Sequence, residues 1–394
     1  MDVEKIQQEL KRSGLDGWLL YDFHNRDPIA YRVLGLDYGK FTSRRWWYWI
    51  PKEGEPVRLV HKVEPRKLDS LPGAKSLYLG WRELEQTLGG ILEGAGKVAM
   101  QYSPNAAIPY VSTVDAGTID LVRSLGVEVV SSADLVQIFE STIDEEGYRS
   151  HLEAGEKIQR IKDGAFAKIG EFVRAGKKLT EYDLQQWIVE QFKTQGLDCM
   201  KEYPIVGVDE HPADPHFEPT AENSREFKKG QMVLIDLWAK LEKPGSIFYD
   251  ITWCGFIGDD PPRKYKDIFS VVCKARQRAV DFVRERFASH VPVYGYEVDD
   301  ECRKVVIDAG YGEYFIHRTG HSIGEEVHGN GVNIDNLETR DERLLVPGIC
   351  FSIEPGIYLP GEMAVRSEID VFITKSSEVI VAGDEQRELI LIDV

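Results

Sequence analysis

The chain has 394 residues, 48 basic against 66 acidic side chains and a formal net charge of −18, with 42% hydrophobic and 10% aromatic residues. A pI near 5.1 repels phosphate backbones and anionic lipid alike, and no local basic patch offsets that field, so nucleic-acid and membrane-surface partners are excluded. The length exceeds the about 100–200 residues of a typical domain, which predicts two domains.

The opening segment, MDVEKIQQELKRSG, mixes charges of both signs and lacks the apolar centre of a signal peptide. No stretch approaches the ~18 apolar residues of a membrane span, so a cytoplasmic setting is expected. Across residues 1–140, helix-like runs alternate with short apolar runs. Val3, Ile6 and Leu10 mark one helical face, and strands are expected at GWLLYD, WWYWI, PVRLVHKV, KSLYLGW, KVAMQYS and VEVVSS. That alternation predicts an α/β domain with a largely parallel sheet and no catalytic cluster. Five cysteines, Cys199, Cys254, Cys273, Cys302 and Cys350, are odd in number and form no CxxC pair, so they read as free thiols.

The second domain is expected over 141–394. A long helix opens near Asp144 and carries Ile158, Ile161, Ala165, Ile169 and Val173 at spacings of three and four until Gly176. Another opens where Thr180 and Asp183 have capping-box spacing and runs to Gly196. The same order of elements returns over 263–312, about 116 residues later, which reads as an internal duplication. Each helical half is followed by a hairpin-like segment with Pro-Gly near its middle. Asp236 and Asp250 lie 14 residues apart around Pro244-Gly245, and Glu354 and Glu368 lie 14 apart around Pro360-Gly361. Each pair is therefore expected to face its partner directly across neighbouring strands.

Acidic side chains are rare in strands, and opposed carboxylates within an apolar hairpin destabilise it unless a cation compensates. Four of them in one place call for divalent metal rather than surface lysines. The segment RTGHSIGEEVHGNG adds His321, flanked by Gly320 and Gly324 for close backbone approach, with His317 four residues before it and His328 seven after. One imidazole with four carboxylates suits Mn²⁺, Co²⁺, Fe²⁺ or Zn²⁺ in a two-metal site and lacks the thiolates of structural zinc.

In order and motif context, Asp236, Asp250, His321, Glu354 and Glu368 resemble the dinuclear metallopeptidases that include prolidase, aminopeptidase P and methionine aminopeptidase, with creatinase as a metal-free relative. The resemblance implies a creatinase/prolidase-type α/β N-terminal domain over 1–140 and an α+β pita-bread catalytic domain with internal duplication over 141–394. It implies two divalent metal ions per subunit, Mn²⁺ foremost with Co²⁺, Zn²⁺ and Fe²⁺ as alternatives. Asp236 would bind one ion, Asp250 would bridge both, His321 would bind the other, and Glu354 and Glu368 would complete the set. Glu354 would also carry the proton in hydrolysis by acidified water, His216 and His328 would donate to the developing oxyanion, and His317 would sit at the amino-terminal side of the substrate. Arg366, two residues before Glu368 and on the same strand face, is the candidate cation for a substrate carboxylate or else a partner of Glu368 or Asp370.

The implied substrate is a small peptide with proline in second position, cut by a Xaa-Pro dipeptidase or, for longer peptides, a Xaa-Pro aminopeptidase. The family also implies a homodimer. In that setting the run RRWWYWIP, residues 44–51, has two readings: a core strand, or rings that lid a neighbour's pocket. Two departures stand out. Family members commonly set the two Asp ligands closer together with a Tyr three residues before the second, where this chain has Ile247, and they carry an acid where this chain has Gly329. Those departures keep a non-peptidase amidohydrolase on the same site open; an inactive binding protein that kept the fold is a further alternative, against which the intact ligand set argues.

Overall fold

Asp2 caps the first helix by accepting the Lys5 N–H, and the helix then buries Ile6 and Leu10 on one face. From that start the structure, a computed structural model, describes residues 1–394, which form two compact units, Met1–Glu140 and Ser141–Val394. The first unit runs α1 (Val3–Arg12), β1 (Gly17–Asp22), α2 (Pro28–Leu34), β2 (Trp46–Pro51), β3 (Val57–His61), β4 (Ala74–Tyr78), α3 (Trp81–Ile91), β5 (Lys97–Met100), α4 (Ala116–Ser124), β6 (Glu128–Ser131) and α5 (Ala133–Glu140).

Its six strands lie in the order β4-β3-β2-β1-β5-β6. The sheet is mixed, which corrects the expectation of a largely parallel one: β1, β2 and β3 form an antiparallel meander, while β4, β5 and β6 join in parallel. Connection length explains one of these pairings, because β2 and β3 are joined by a loop too short for a parallel crossover. Strand β2 shows why the aromatic run is continuous. Trp46, Tyr48 and Ile50 pack under α1, α2 and α5, and Trp47 and Trp49 pack on the opposite face with α3 and α4. A strand covered on both faces needs apolar side chains at every position. All these rings are buried within the first unit, so the core-strand reading stands and no ring of β2 is left to lid a pocket.

The second unit runs α6 (Glu145–Arg174), α7 (Glu181–Thr194), β7 (Leu197–Asp198), β8 (Ile205–Val208), β9 (Met232–Leu241), β10 (Tyr249–Ile257), α8 (Arg263–Ala288), α9 (Gly295–Asp308), β11 (Ser322–Ile323), β12 (Cys350–Ile353), β13 (Gly356–Leu359), β14 (Met363–Arg366), β15 (Ile369–Ile373), β16 (Val379–Ala382) and β17 (Ile390–Ile392). Thr180 and Asp183 form the anticipated capping box at the start of α7. Each half has a core of its own. Ile158, Ile161, Ala165 and Ile169 of α6 pack with α7 against Val233, Ile235, Leu237 and Ala239 of β9. In the other half α8 and α9 pack against Phe351, Ile353, Ile369 and Val371.

This alternation fixes where the functional face is. The odd-numbered residues of β9, β12 and β15 turn to the helices, so the period of two turns Asp236 of β9, and Glu354 and Glu368 just beyond the ends of β12 and β15, to the opposite side.

Candidate metal centre

The two hairpins deliver their acids differently. In the first, Thr252 lies opposite Asp236 and Trp238 opposite Asp250, so the two aspartates are diagonal neighbours rather than directly opposed. The expectation of direct opposition is corrected here: the turn places the register two residues away from it. In the second hairpin, Ile353 pairs with Ile369 and Gly356 with Arg366, a register that does set Glu354 against Glu368.

His321 joins them from a loop laid on β12. Its N–H bonds Ser352 Oγ at 3.0 Å, and the Ser352 N–H returns a bond to its carbonyl at 2.9 Å. A Cβ on Gly320 would stand 1.9 Å from Ser352 O, so this approach requires glycine, whereas Gly324 faces open space and the close approach expected there is absent. Asp299, fully buried, holds the segment from behind by accepting the Thr319 N–H at 3.0 Å and the Thr319 hydroxyl at 2.6 Å.

The tautomer of His321 follows from its neighbours. Nδ1 faces Ser322 O at 3.2 Å and must carry the proton, which leaves the Nε2 lone pair 3.4 Å from Glu354 Oε1 and 3.7 Å from Asp250 Oδ2. Burial, with the charges of His328 and Arg318, holds this imidazole well below its ordinary pKa, so it is neutral. Lone pairs of His321, Asp250 and Glu368 converge within 4.8 Å of one another. Asp236 Oδ1, Asp250 Oδ1 and Glu368 Oε1 are buried and lack any hydrogen-bond partner. Buried acceptors aimed at one another without donors are costly, and divalent cations are the groups that relieve them. The residues present therefore fit a divalent metal centre.

Without metal, protons fill that role. Burial pushes Asp236 up and, reinforced by the neighbouring carboxylates, raises Asp250 and Glu368 well above the carboxylate range. Glu354 is pushed up to about 7 by burial, with Arg366 opposing and Asp236 adding to the shift. Ser352 Oγ donates to Glu354 Oε1 at 3.3 Å, and Thr252 Oγ1 donates to Glu368 Oε2 at 2.7 Å.

Arg366 is placed otherwise than anticipated. Its guanidinium is buried and ion-pairs with Asp236, while Nε donates to Thr252 Oγ1 at 2.9 Å and Nη1 to Tyr358 Oη at 3.0 Å. Three nitrogens committed to the ligand hairpins make it a holder of Asp236, not an open clamp for a substrate carboxylate, and its partner is neither Glu368 nor Asp370. His317 is likewise committed. Nδ1 donates to Arg318 O at 2.7 Å and Nε2 accepts from Tyr358 Oη at 2.8 Å, so neither ring nitrogen is left for a substrate amine. Burial and the Arg366 charge bring its pKa down to about 3.

His328 stands beside His321 with ring centroids 4.4 Å apart. The surrounding protein and the charges of Arg318 and His216 bring its pKa down to about 4, although one edge stays open to solvent. His216 is exposed, with its N–H on Asp214 Oδ1 at 3.1 Å, and its ring is near enough for its charge to act on His328. Ile247 lies in an apolar cluster with Phe248, Ile323 and Val327, and Gly329 donates its N–H to Ser322 O at 2.7 Å.

Sequence reasoning missed Thr252, Tyr358 and Arg318, and named Asp370 only as a partner of Arg366. Thr252 and Asp370 follow the ligands Asp250 and Glu368 by two residues, the strand period, which is the signal that was available. Tyr358, in EPGIY, links Arg366 to His317. Arg318 sets its charge on Glu354, His317, His321 and His328.

With the geometry in hand, comparison with known proteins gives the class. Residues 153–375 match the model of metallopeptidase family M24, and the chain belongs to that family. It is a peptidase of a family that works with divalent metal. A "Probable dipeptidase PepE" of Mycobacterium tuberculosis is 29% identical over 345 residues, covering 88% of this chain and 85% of that one. A Xaa-Pro dipeptidase of Lactobacillus delbrueckii subsp. lactis is 36% identical over 171 residues, 43% of this chain and 42% of that one. Among solved structures, dipeptidase PepE from Mycobacterium ulcerans aligns with a TM-score of 0.72 at 25% identity, covering 100% of this chain and 97% of that one. Structures of prolidases and of aminopeptidase P align as well, so the pita-bread fold with its N-terminal domain is this chain's fold.

Proposed function

We propose that the chain is a metal-dependent dipeptidase that hydrolyses the Xaa-Pro bond. The observation that carries this reading is the convergence of Asp250, His321 and Glu368, flanked by Asp236 and Glu354, with buried lone pairs that no protein donor meets. Divalent cations held by these five residues supply Lewis acidity, which acidifies water and polarises a peptide carbonyl. Mn²⁺ is the foremost ion and Co²⁺, Zn²⁺ and Fe²⁺ are the alternatives, since the oxygen-rich donor set suits them all.

Glu354 takes the proton from water and returns it to the leaving proline nitrogen. His328, assisted by His216, presents its open edge to the carbonyl oxygen as negative charge grows there. Arg366 and Thr252 hold Asp236 and Glu368 in place, and His317 fixes Tyr358. Arg318 is a second cation beside the ligands, and its charge reaches Glu354 and His317. The names of the relatives support a dipeptide substrate. A cytoplasmic setting is supported by the five free cysteines. A homodimer is supported by edge strand β4, next to which Leu79 and Trp81 are exposed.

The test is turnover of an Ala-Pro dipeptide, its amide and an Ala-Pro-Ala tripeptide by chelator-stripped protein with each cation added back. The dipeptide is expected to be cleaved only with metal. Amidation should lower kcat/KM by about 10–100-fold, the worth of a charge-assisted hydrogen bond. Equal cleavage of all three would make the enzyme a Xaa-Pro aminopeptidase, and no cleavage of any would turn attention to a different C–N bond.

A further inference from the structure

Strand β10 carries Asp250, and its outer edge has a gap. Strand β17 covers that edge at Gly255, Phe256 and Ile257, but the outward backbone groups of Phe248, Asp250 and Thr252 meet no neighbouring strand there. An unpaired buried edge is costly, and the question is where its hydrogen bonds go. Asp370 Oδ2 accepts the Asp250 N–H at 2.8 Å, and Phe248 O faces His151 Nδ1 at 2.6 Å. The Glu368 N–H closes on Thr252 O at 3.2 Å, and the Ile247 N–H bonds Ser150 Oγ at 3.0 Å.

Helix α6 is shaped for this contact. Gly147, Ser150, His151 and Gly155 share one face. A Cβ on Gly147 would lie 3.1 Å from Ile247 Cγ1, and one on Gly155 would lie 2.5 Å from the Tyr249 ring. The small residues let the helix press against residues 247–249, and the polar ones between them bond the strand's backbone. His151 is buried, with its second nitrogen 3.8 Å from Asp370 Oδ2, so helix and strand β15 grip the same point from two sides.

We propose that His151 and Ser150 of α6, acting with Asp370 of β15, are positioning residues that take the place of a missing edge strand and fix the segment 247–250, and through it the carboxylate of Asp250, in the geometry that binds metal. They touch neither substrate nor ion. The proposal rests on the metal reading above and concerns residues that reading leaves without a role. Partners behind a metal ligand typically matter by about 10–100-fold in affinity.

The test is Mn²⁺ titration of the chelator-stripped full-length chain by calorimetry, with the Mn²⁺ electron paramagnetic resonance spectrum of the loaded protein as a second readout. His151→Phe keeps the ring and removes the donor to Phe248 O, whereas His151→Asn keeps a donor near the Nδ1 position. His151→Phe is expected to weaken Mn²⁺ binding by about 10–100-fold and to change the spectrum, and His151→Asn to stay within about threefold of wild type. Ser150→Ala, a smaller change on the same face, should weaken binding in the same direction even if His151→Phe does not fold. Unchanged affinity in His151→Phe or Ser150→Ala, with only a lower Tm of the stripped protein, would overturn the proposal, as would equal loss in His151→Phe and His151→Asn. Wild-type protein that takes up no Mn²⁺ would overturn the metal reading and this proposal together.

Discussion

Glu354→Gln is expected to lower kcat on an Xaa-Pro dipeptide by about 10²–10⁴-fold while peptide affinity stays within a few-fold of wild type. The substitution keeps the shape and one oxygen donor of the side chain and removes its ability to take a proton. Its supports are untouched, because the Glu354 N–H bonds Thr319 O at 2.7 Å and Ser352 Oγ reaches the retained oxygen. The site asks this of Glu354 in particular. Of the five side chains, Glu354 alone is not fully buried, so it faces the open side of the cluster. Steady-state kinetics with a binding assay on a non-hydrolysed peptide separates the two effects, and hydrolysis within tenfold of wild type would remove Glu354 as the proton carrier.

The second large effect is on stability. Glu354 has a pKa of about 7 in the metal-free fold against 4.5 in an unfolded chain, and Asp250 and Glu368 are raised further, so the fold holds protons that the unfolded chain has released. Stability therefore falls as pH rises through that window. Buried neutral histidines act in the opposite direction: His151 and His328 at about 4 and His317 at about 3 are stabilising above 6.5 and cost stability as pH falls below it. Above pH 6.5 the histidine contribution fades as the unfolded imidazoles lose their last protons, and the carboxyls set most of the slope. The catalytic unit of stripped protein should therefore have a Tm lower by a few degrees at pH 8 than at pH 6.5. With saturating Mn²⁺ the loss should vanish, because metal displaces the protons. A flat Tm in stripped protein, measured by calorimetry, would contradict the raised carboxyls.

Much of this was legible in the sequence for physical reasons that can be named. An acid in an apolar strand is costly enough to be noticed, so Asp236, Asp250, Glu354 and Glu368 stood out from their neighbours, and a histidine among glycines stood out for the backbone approach it allows. The helix caps at Asp144 and Thr180 were equally plain, because capping is a local event. What the sequence hid was long-range. Arg366 lies near Glu368 in sequence, yet its charge goes to Asp236, 130 residues away. His151 and Asp370 have partners that lie 97 and 120 residues distant. The register of the first hairpin depends on how its longer turn packs against α6, which the spacing of two aspartates does not encode. The aromatic strand β2 posed the opposite problem, since a continuous apolar run fits a doubly covered strand as well as an exposed lid until the helices on both faces are placed.

The most direct measurement is anomalous scattering at the manganese edge from a crystal grown with excess Mn²⁺. Two peaks are predicted among Asp236, Asp250, His321, Glu354 and Glu368. The five side chains arranged as without metal and no peak between them would contradict the account.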